Sequence, residues 1–376
     1  MYIQLAVCLI AAIAFYTYQQ QISNKCLTTK TATISFIHFI CIILILQSGL
    51  RNVAVGADTY EYFRQFDRIS STSWVQIFRN FVRAYETGVG KDPGYGIFMK
   101  LITYITTDYQ LYLIAVAIIF FSSFGSMLKS FCINVYDVFI AVIIYQALFY
   151  GFFSVTGIRQ TLAVSILFFA CRYIYKKKLL KFIIICLVAS TIHKSALIFL
   201  PFYFIAHFKH PIKLLTGITL SLPFVFILVK PFAIYMTSFS LTESYSMFTE
   251  TATDAKGAQM FLVFMLSVTL LIFLCRKYIT IESQQYKMGL NAFALGLFFT
   301  PLTWVDPNLM RVVMYFSVFS IFILGRLIRT YSYNKKYCIQ TISIFLIAAA
   351  ILSIIKRGYD YAFFWQEMRL PENYNI

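Results

Sequence analysis

The chain has 376 residues, 60% of them hydrophobic, 19% aromatic and only 12% charged, with a mean hydropathy of +0.75. A water-soluble domain of this size is excluded by that balance. The 32 Lys and Arg against 15 Asp and Glu give a formal charge of +17; beside recurring apolar runs this excess reads as basic cytoplasmic loops, not as a nucleic-acid-binding surface.

Taken in order, the apolar runs of roughly 18–20 residues predict an all-α, polytopic membrane protein with about 12 transmembrane helices. A β-barrel is excluded because barrel strands alternate over short segments. The first two spans cover 3–18 and 31–50, followed by a large polar loop, 51–94. Further spans are expected at 109–128, 135–152, 159–175, 179–192, 194–208, 213–230, 258–275, 287–304, 311–327 and 337–355, and together they form a single integral membrane domain over 1–376. Ala12-Ile13-Ala14 resembles a cleavage triplet but lacks a basic stretch before it, so the first helix is read as uncleaved. The eight cysteines, at Cys8, Cys26, Cys41, Cys132, Cys171, Cys186, Cys275 and Cys338, form no CxxC pair or His/Cys cluster, which argues against structural zinc.

Parity tests the topology. Lys25 and Lys30, Lys129, Lys176–Lys178 with Lys181, Lys209 with Lys213, Arg276-Lys277 with Lys287, and Arg326 to Lys336 all fall on one side with these spans. That side is the cytoplasm, and 51–94, 231–257 and the tail 356–376 then face outward. The agreement requires 94–107 not to cross; at about 14 residues with Lys100 inside, it reads as a re-entrant or interfacial helix.

Inside loop 51–94, Trp74, Ile77, Phe78, Phe81, Val82 and Tyr85 follow helical spacing, with Arg79 and Arg83 off the stripe. An amphipathic helix over 74–85 lying in the membrane interface fits this pattern, and Ser70, Ser71, Thr72 and Ser73 offer N-caps. Tyr359, Tyr361, Phe363, Phe364 and Trp365 suggest a second interfacial segment in the tail. Loop 231–257 is rich in Ser, Thr and Tyr and carries Glu243, Glu250 and Asp254.

The basic residues on the outward side are the ones that loop charge does not explain. Arg51 follows the second span. Arg159 and Gln160 in GIRQTLA open the fifth, His193 and Lys194 in IHKSALIFLP sit at a tight turn, and Arg311 opens a late span. Ionisable groups at membrane depth are costly unless paired or wet, which makes them functional candidates. Arginines at helix N-termini add bidentate donors to sites already favouring anions, a pattern that suits a diphosphate. The structural alternative is that each arginine snorkels to the interface or pairs with a nearby carboxylate. Asp58 in GADTYEYF has two readings: N-cap of a capping box with Glu61, or general base toward a sugar hydroxyl. Asp92 in DPGY reads as a turn residue able to pair with an arginine. Tyr60, Tyr62 and Tyr95 are candidates to stack on sugar rings.

An Arg before GADTxxY, then DPGY, GIRQxLAxSI, IHKSALIFLP and an Arg opening a late helix occur in the order of the EpsG family, the Wzy-type polymerases of O-antigen, capsule and exopolysaccharide. The chain resembles that family over nearly its whole length. The resemblance implies a GT-C-like, metal-independent glycosyltransferase of the bacterial inner (cytoplasmic) membrane, needing no cofactor. Its substrate would be an undecaprenyl-diphosphate-linked oligosaccharide, the growing glycan passing to the next lipid-linked repeat. Arg51, Arg159, His193 and Arg311 would then hold the donor diphosphate, with Asp58 at the acceptor. Tyr62, Asp92, Gln160 and Lys194 complete the expected substrate-binding set, and a chain-length copolymerase is an expected partner.

Three other classes compete. A lipid-linked oligosaccharide flippase or transporter would show internal repeats or broken helices near the midplane, and the sequence shows no repeat. An acyltransferase would set a His beside an Asp or Asn in sequence, and His193 has no such neighbour. An O-antigen ligase differs mainly in its acceptor and stays open.

Overall fold

The computed structural model describes residues 2–56, 58–87, 92–239, 256–277, 279, 283–305, 309–333, 338–357 and 360–368. Glu243, Glu250, Asp254 and Tyr359 lie outside them, as do Asp306 to Asn308. Among the described residues the chain is all-helical, apart from one antiparallel bridge between Arg51 and Phe363.

The helices form two compact units. The first begins with α1 (Tyr2–Ser23) and α2 (Thr29–Gly49). Thr28 caps α2, its hydroxyl accepting from the Thr31 N–H. The polar loop folds into α3 (Thr59–Ser71) and α4 (Trp74–Glu86). The Ser73 hydroxyl accepts from Gln76 N–H and starts α4 where the serine run predicted. Then come α5 (Pro93–Thr103), α6 (Tyr109–Phe131) and α7 (Val135–Ile144). At about 1.5 Å per residue, α5 is too short to cross a membrane, in agreement with a re-entrant or interfacial segment. A capping box of Asn134 and Asp137 opens α7. Its continuation changes pitch and runs as π-helix through Tyr145–Phe149 and Gly151–Thr156. α8 (Ile158–Tyr175) and α9 (Leu179–Ile192) follow, and a 3-10 turn covers Lys194–Phe199.

The second unit contains α10 (Phe202–Ala206), α11 (Pro211–Phe239), α12 (Lys256–Cys275), α13 (Gln284–Phe299), α14 (Met310–Ser317) and α15 (Phe319–Tyr333). Its centre is α13, packed against α10, α11, α14 and α15. The fully buried Asn291 amide donates to the carbonyls of Ile205, Ala206 and Phe208 at 3.0, 3.3 and 3.1 Å, satisfying the end of α10. The last helix, α16 (Cys338–Arg357), returns the chain to the first unit.

Among the described residues, four helices are individually long and apolar enough to span a membrane: α1, α2, α6 and Pro211–Val229 of α11. The pair α14 and α15, bent by 43°, makes a fifth if counted together. Shorter apolar helices at Val135–Phe149, Leu179–Ile192, Lys194–Ala206, Gln259–Cys275 and Ile342–Lys356 occupy other positions where spans were expected. By length and composition the described residues thus hold four or five candidate spans, not the full expected number.

The core of the first unit contains a polar seam. Gln47 of α2 and Gln146 exchange amide hydrogen bonds, at 3.1 and 2.7 Å, and both are buried. The π-helix is the reason the seam works, because its shifted register turns carbonyls toward neighbouring helices. Gln4 of α1 donates to Gln146 O at 2.8 Å, Thr161 of α8 to Phe153 O at 2.9 Å, Ser48 of α2 to Ser154 O at 3.4 Å and Thr59 of α3 to Val155 O at 3.3 Å. Ser353 of α16 donates to Ala147 O at 3.4 Å. Five helices are thus tied to one backbone segment.

Candidate functional site

The site grows from the turn Asp92-Pro93-Gly94-Tyr95. Asp92 holds a left-handed backbone, φ 52° and ψ 60°, which Asp tolerates better than most residues. Pro93 then opens α5, where its missing N–H costs nothing. The Asp92 carboxylate makes no bond to its own helix and reaches across the fold instead. Its Oδ2 accepts from Arg159 Nη1 at 2.9 Å and from His193 Nδ1 at 3.0 Å, and its Oδ1 accepts from the Lys194 backbone N–H at 3.0 Å. Three stretches of chain, 92–95, 158–160 and 193–194, meet at one carboxylate.

Gly94 makes the approach possible. A Cβ there would stand 2.8 Å from the Thr191 carbonyl carbon and closer still to its side chain, so only glycine lets α5 close on the end of α9. Tyr95 is buried and its hydroxyl meets that of Tyr112 at 2.7 Å. It belongs to an apolar cluster with Tyr62, Phe66, Met99 and Tyr109 that joins α3, α5 and α6. Burying each such side chain contributes roughly 2 kcal/mol, so the turn is anchored on a firm base.

Asp92 is 7% exposed. Burial alone pushes its carboxyl up, but the His193 hydrogen bond and charge, the Lys194 N–H and the Arg159 guanidinium outweigh it and hold the group below the usual carboxylate value. It is therefore an anion near neutral pH, and only a protonated Nδ1 can pair with it. His193 thus has a fixed orientation, with Nε2 buried and without a hydrogen-bond partner among the described residues. Arg159 lies over the Tyr62 ring, 5.6 Å from its centroid. Lys194 is exposed beside the cluster and Gln160 is buried next to Arg159.

The remaining expected residues are placed as follows. Asp58 stands at the N-cap position just before α3 but makes no side-chain capping bond, and its backbone is helical (φ −97°, ψ −7°) where caps are extended. Glu61 pairs instead with Arg68 at 3.0 Å. The capping-box reading of Asp58 is therefore corrected. Gly56, at φ 97°, makes the turn before it, and Thr59 takes up the Val55 carbonyl at 2.6 Å. Arg311 is an exposed residue at the start of α14, in the second unit.

Arg51 is 2% exposed, and its Nη1 donates to Ser48 O at the end of α2. The tail crosses beside it through the bridge at Phe363 and then turns: Asn52 N–H donates to Ala362 O at 2.8 Å, Phe364 N–H to Leu50 O at 2.9 Å and Gln366 N–H to Phe363 O at 2.9 Å. Burial lowers the Arg51 value from its ordinary one, opposed by Tyr109, Tyr150, Tyr361 and Tyr112 around it. Tyr361 in turn is pushed up to about 12 by burial, with Arg51 opposing.

The sequence reading missed the glutamine seam. The signal was present, because Gln4 and Gln47 interrupt otherwise apolar runs and an amide in such a run needs a buried partner.

The EpsG family model matches residues 34–366, most of the chain. This protein belongs to the EpsG family. EpsG is a family of Wzy-type polymerases, and membership gives the chain a glycosyltransferase-type, polysaccharide-polymerase role in a membrane. The matched region includes Arg51, Asp58, Tyr62, Asp92, Arg159, Gln160, His193, Lys194 and Arg311. Neither a curated protein nor a solved structure matches this EpsG-family chain at a significant level.

Proposed function

We propose that this EpsG-family protein polymerises a surface polysaccharide from undecaprenyl-diphosphate-linked repeats at the outer face of the bacterial inner membrane. The observation that carries the reading is the Asp92 hub. It fixes Arg159 and His193 together beside exposed Lys194, so that one carboxylate stands among two permanent cations and an imidazole. Such a cluster keeps a net positive charge and N–H donors for a diphosphate.

In the proposed step the growing glycan is the donor. Its anomeric carbon breaks its bond to the diphosphate oxygen and forms one to a hydroxyl of the next lipid-linked repeat. The acceptor proton passes to His193 Nε2, the ring nitrogen not engaged by Asp92. The leaving undecaprenyl diphosphate carries the negative charge, which Arg159, Lys194 and Arg51 would stabilise. Asp58, Tyr62 and Gln160 belong to the acceptor side of the reading. The bond energy of the glycosyl diphosphate drives the transfer, so the reading requires neither metal nor nucleotide. A GT-C-like body of about 12 spans and a chain-length copolymerase partner complete the proposal.

Deleting the gene and running the surface polysaccharide on a gel tests it. The expected result is a single-repeat band with the ladder lost. Loss of every repeat would instead indicate a flippase or ligase and overturn the reading. Arg159→Ala is expected to give the deletion pattern while the protein still inserts. A normal ladder in that variant would remove Arg159 from the site.

A further inference from the structure

Arg51 and the tail beside it carry an inference that rests on the diphosphate reading and concerns access to it. The Arg51 guanidinium is almost wholly buried, and its Nε has no hydrogen-bond partner among the described residues. Its Nη1 faces Ser48 O and Oγ, at the C-terminal end of α2, where a cation is favoured. That contact accounts for one edge of the group. Among the described residues no carboxylate lies within ion-pair distance of Arg51. The side chains acting on it are tyrosines 109, 112, 150 and 361. A buried guanidinium whose Nε is unmatched and beside which no described carboxylate stands suits a ligand that itself brings negative charge.

The tail closes the same place. Phe363 pairs with Arg51 in an antiparallel bridge, flanked by the two backbone bonds to Leu50 and Asn52. Asn52 Nδ2 donates to Gln366 O and Tyr361 OH donates to Gln47 O, both at 2.8 Å. Ala362 is buried under this pairing, whereas Phe364 and Trp365 point outward at 48% and 60% exposure. The outer bonds of the segment, Asn52 Nδ2 to Gln366 O and Phe363 N–H to Gln366 Oε1, are exposed, as in a part of a fold that opens locally.

We propose that residues 361–366 are a strap over Arg51 that lifts to admit a diphosphate anion and closes beside it. The strap and the guanidinium share the same anchor, residues 50–52, so strap movement and anion entry are one event. The anion's chemistry is common to a lipid-linked diphosphate and to free diphosphate.

Asn52→Cys combined with Ala362→Cys, at positions that stand opposite each other in the pairing, locks the strap when oxidised. The full chain is purified in detergent, and binding of inorganic diphosphate and of a short polyprenyl diphosphate is measured with the pair reduced and oxidised. Oxidised wild type controls for the native cysteines. The reduced pair is expected to bind and the oxidised pair to lose at least ~10-fold in affinity, about 1.4 kcal/mol. Tyr361→Phe, which removes one strap hydrogen bond, is expected to bind more tightly, and Arg51→Ala to bind as weakly as the locked pair. Binding of both probes would show that diphosphate suffices; binding of the prenylated probe alone would show that the lipid is needed, and either supports the strap. Equal affinity in reduced and oxidised forms overturns the strap and leaves the diphosphate reading standing. No binding in any form overturns both.

Discussion

His193 Nδ1 and Asp92 Oδ2 stand 3.0 Å apart although 101 residues separate them in the chain. Because the carboxylate also accepts from Arg159 and the Lys194 N–H, this pair sets the ring orientation and the protonated nitrogen together. Asp92 is thus a positioning residue, acting through His193. Replacing Asp92 with Asn keeps the size but removes the charge that selects the Nδ1–H form. Polymerisation by membrane vesicles is expected to fall by about 10²–10⁴, the range typical of lost acid–base assistance, with its pH profile displaced. An unchanged rate and profile would remove the pair from the reaction.

The same carboxylate makes acid stability testable. Folded Asp92 holds its proton less tightly than the ordinary value of 3.8. Its contribution is therefore complete above about that pH and is lost as pH falls through the lower folded value. Thermal melts in detergent from neutral to strongly acidic pH are expected to show a steeper acid loss for wild type than for Asp92→Asn. Parallel curves would count against the buried anion.

Gly94 tests the close approach of α5 to α9. An added Cβ meets the Thr191 backbone, which cannot swing aside as a side chain can. Gly94→Ala is expected to cost about 1–3 kcal/mol by overpacking, read as a lower melting temperature with the family-typical activity reduced in step. Gly217, with nothing within 4 Å of its added Cβ, is the control site at which Ala is expected to be tolerated.

Gln47 and Gln146 lend themselves to a double-mutant cycle, since each satisfies the other's amide. Gln47→Leu alone leaves a buried amide unmatched and is expected to cost about 1–3 kcal/mol, while the Leu pair is expected to recover much of that loss. Additive losses would show that the pairing carries no coupling.

Much of the helix order was readable because apolar runs and caps are local signals. The stripe from Trp74 to Tyr85 became α4, and Ser73 capped it as the serine run allowed. The short segment after Pro93 stayed too brief to cross. What could not be read was which polar residues would meet. Asp92 looked like an ordinary turn residue because its three partners come from 67 to 102 residues away. Asp58, with Glu61 three residues on, carried the stronger local signal and yet makes no cap. Local pattern reports what a residue does to its own helix. It is silent when the side chain turns away from that helix.

The π-helical stretch has a consequence for how this chain tolerates change. Five helices hold on to its carbonyl oxygens, which every amino acid possesses. Many side chains along 145–156 are therefore replaceable as far as these anchors are concerned. A deletion or insertion of one residue is another matter, because it would rotate each oxygen away from its donor at once. Relatives should vary in letters across this stretch far more freely than in length.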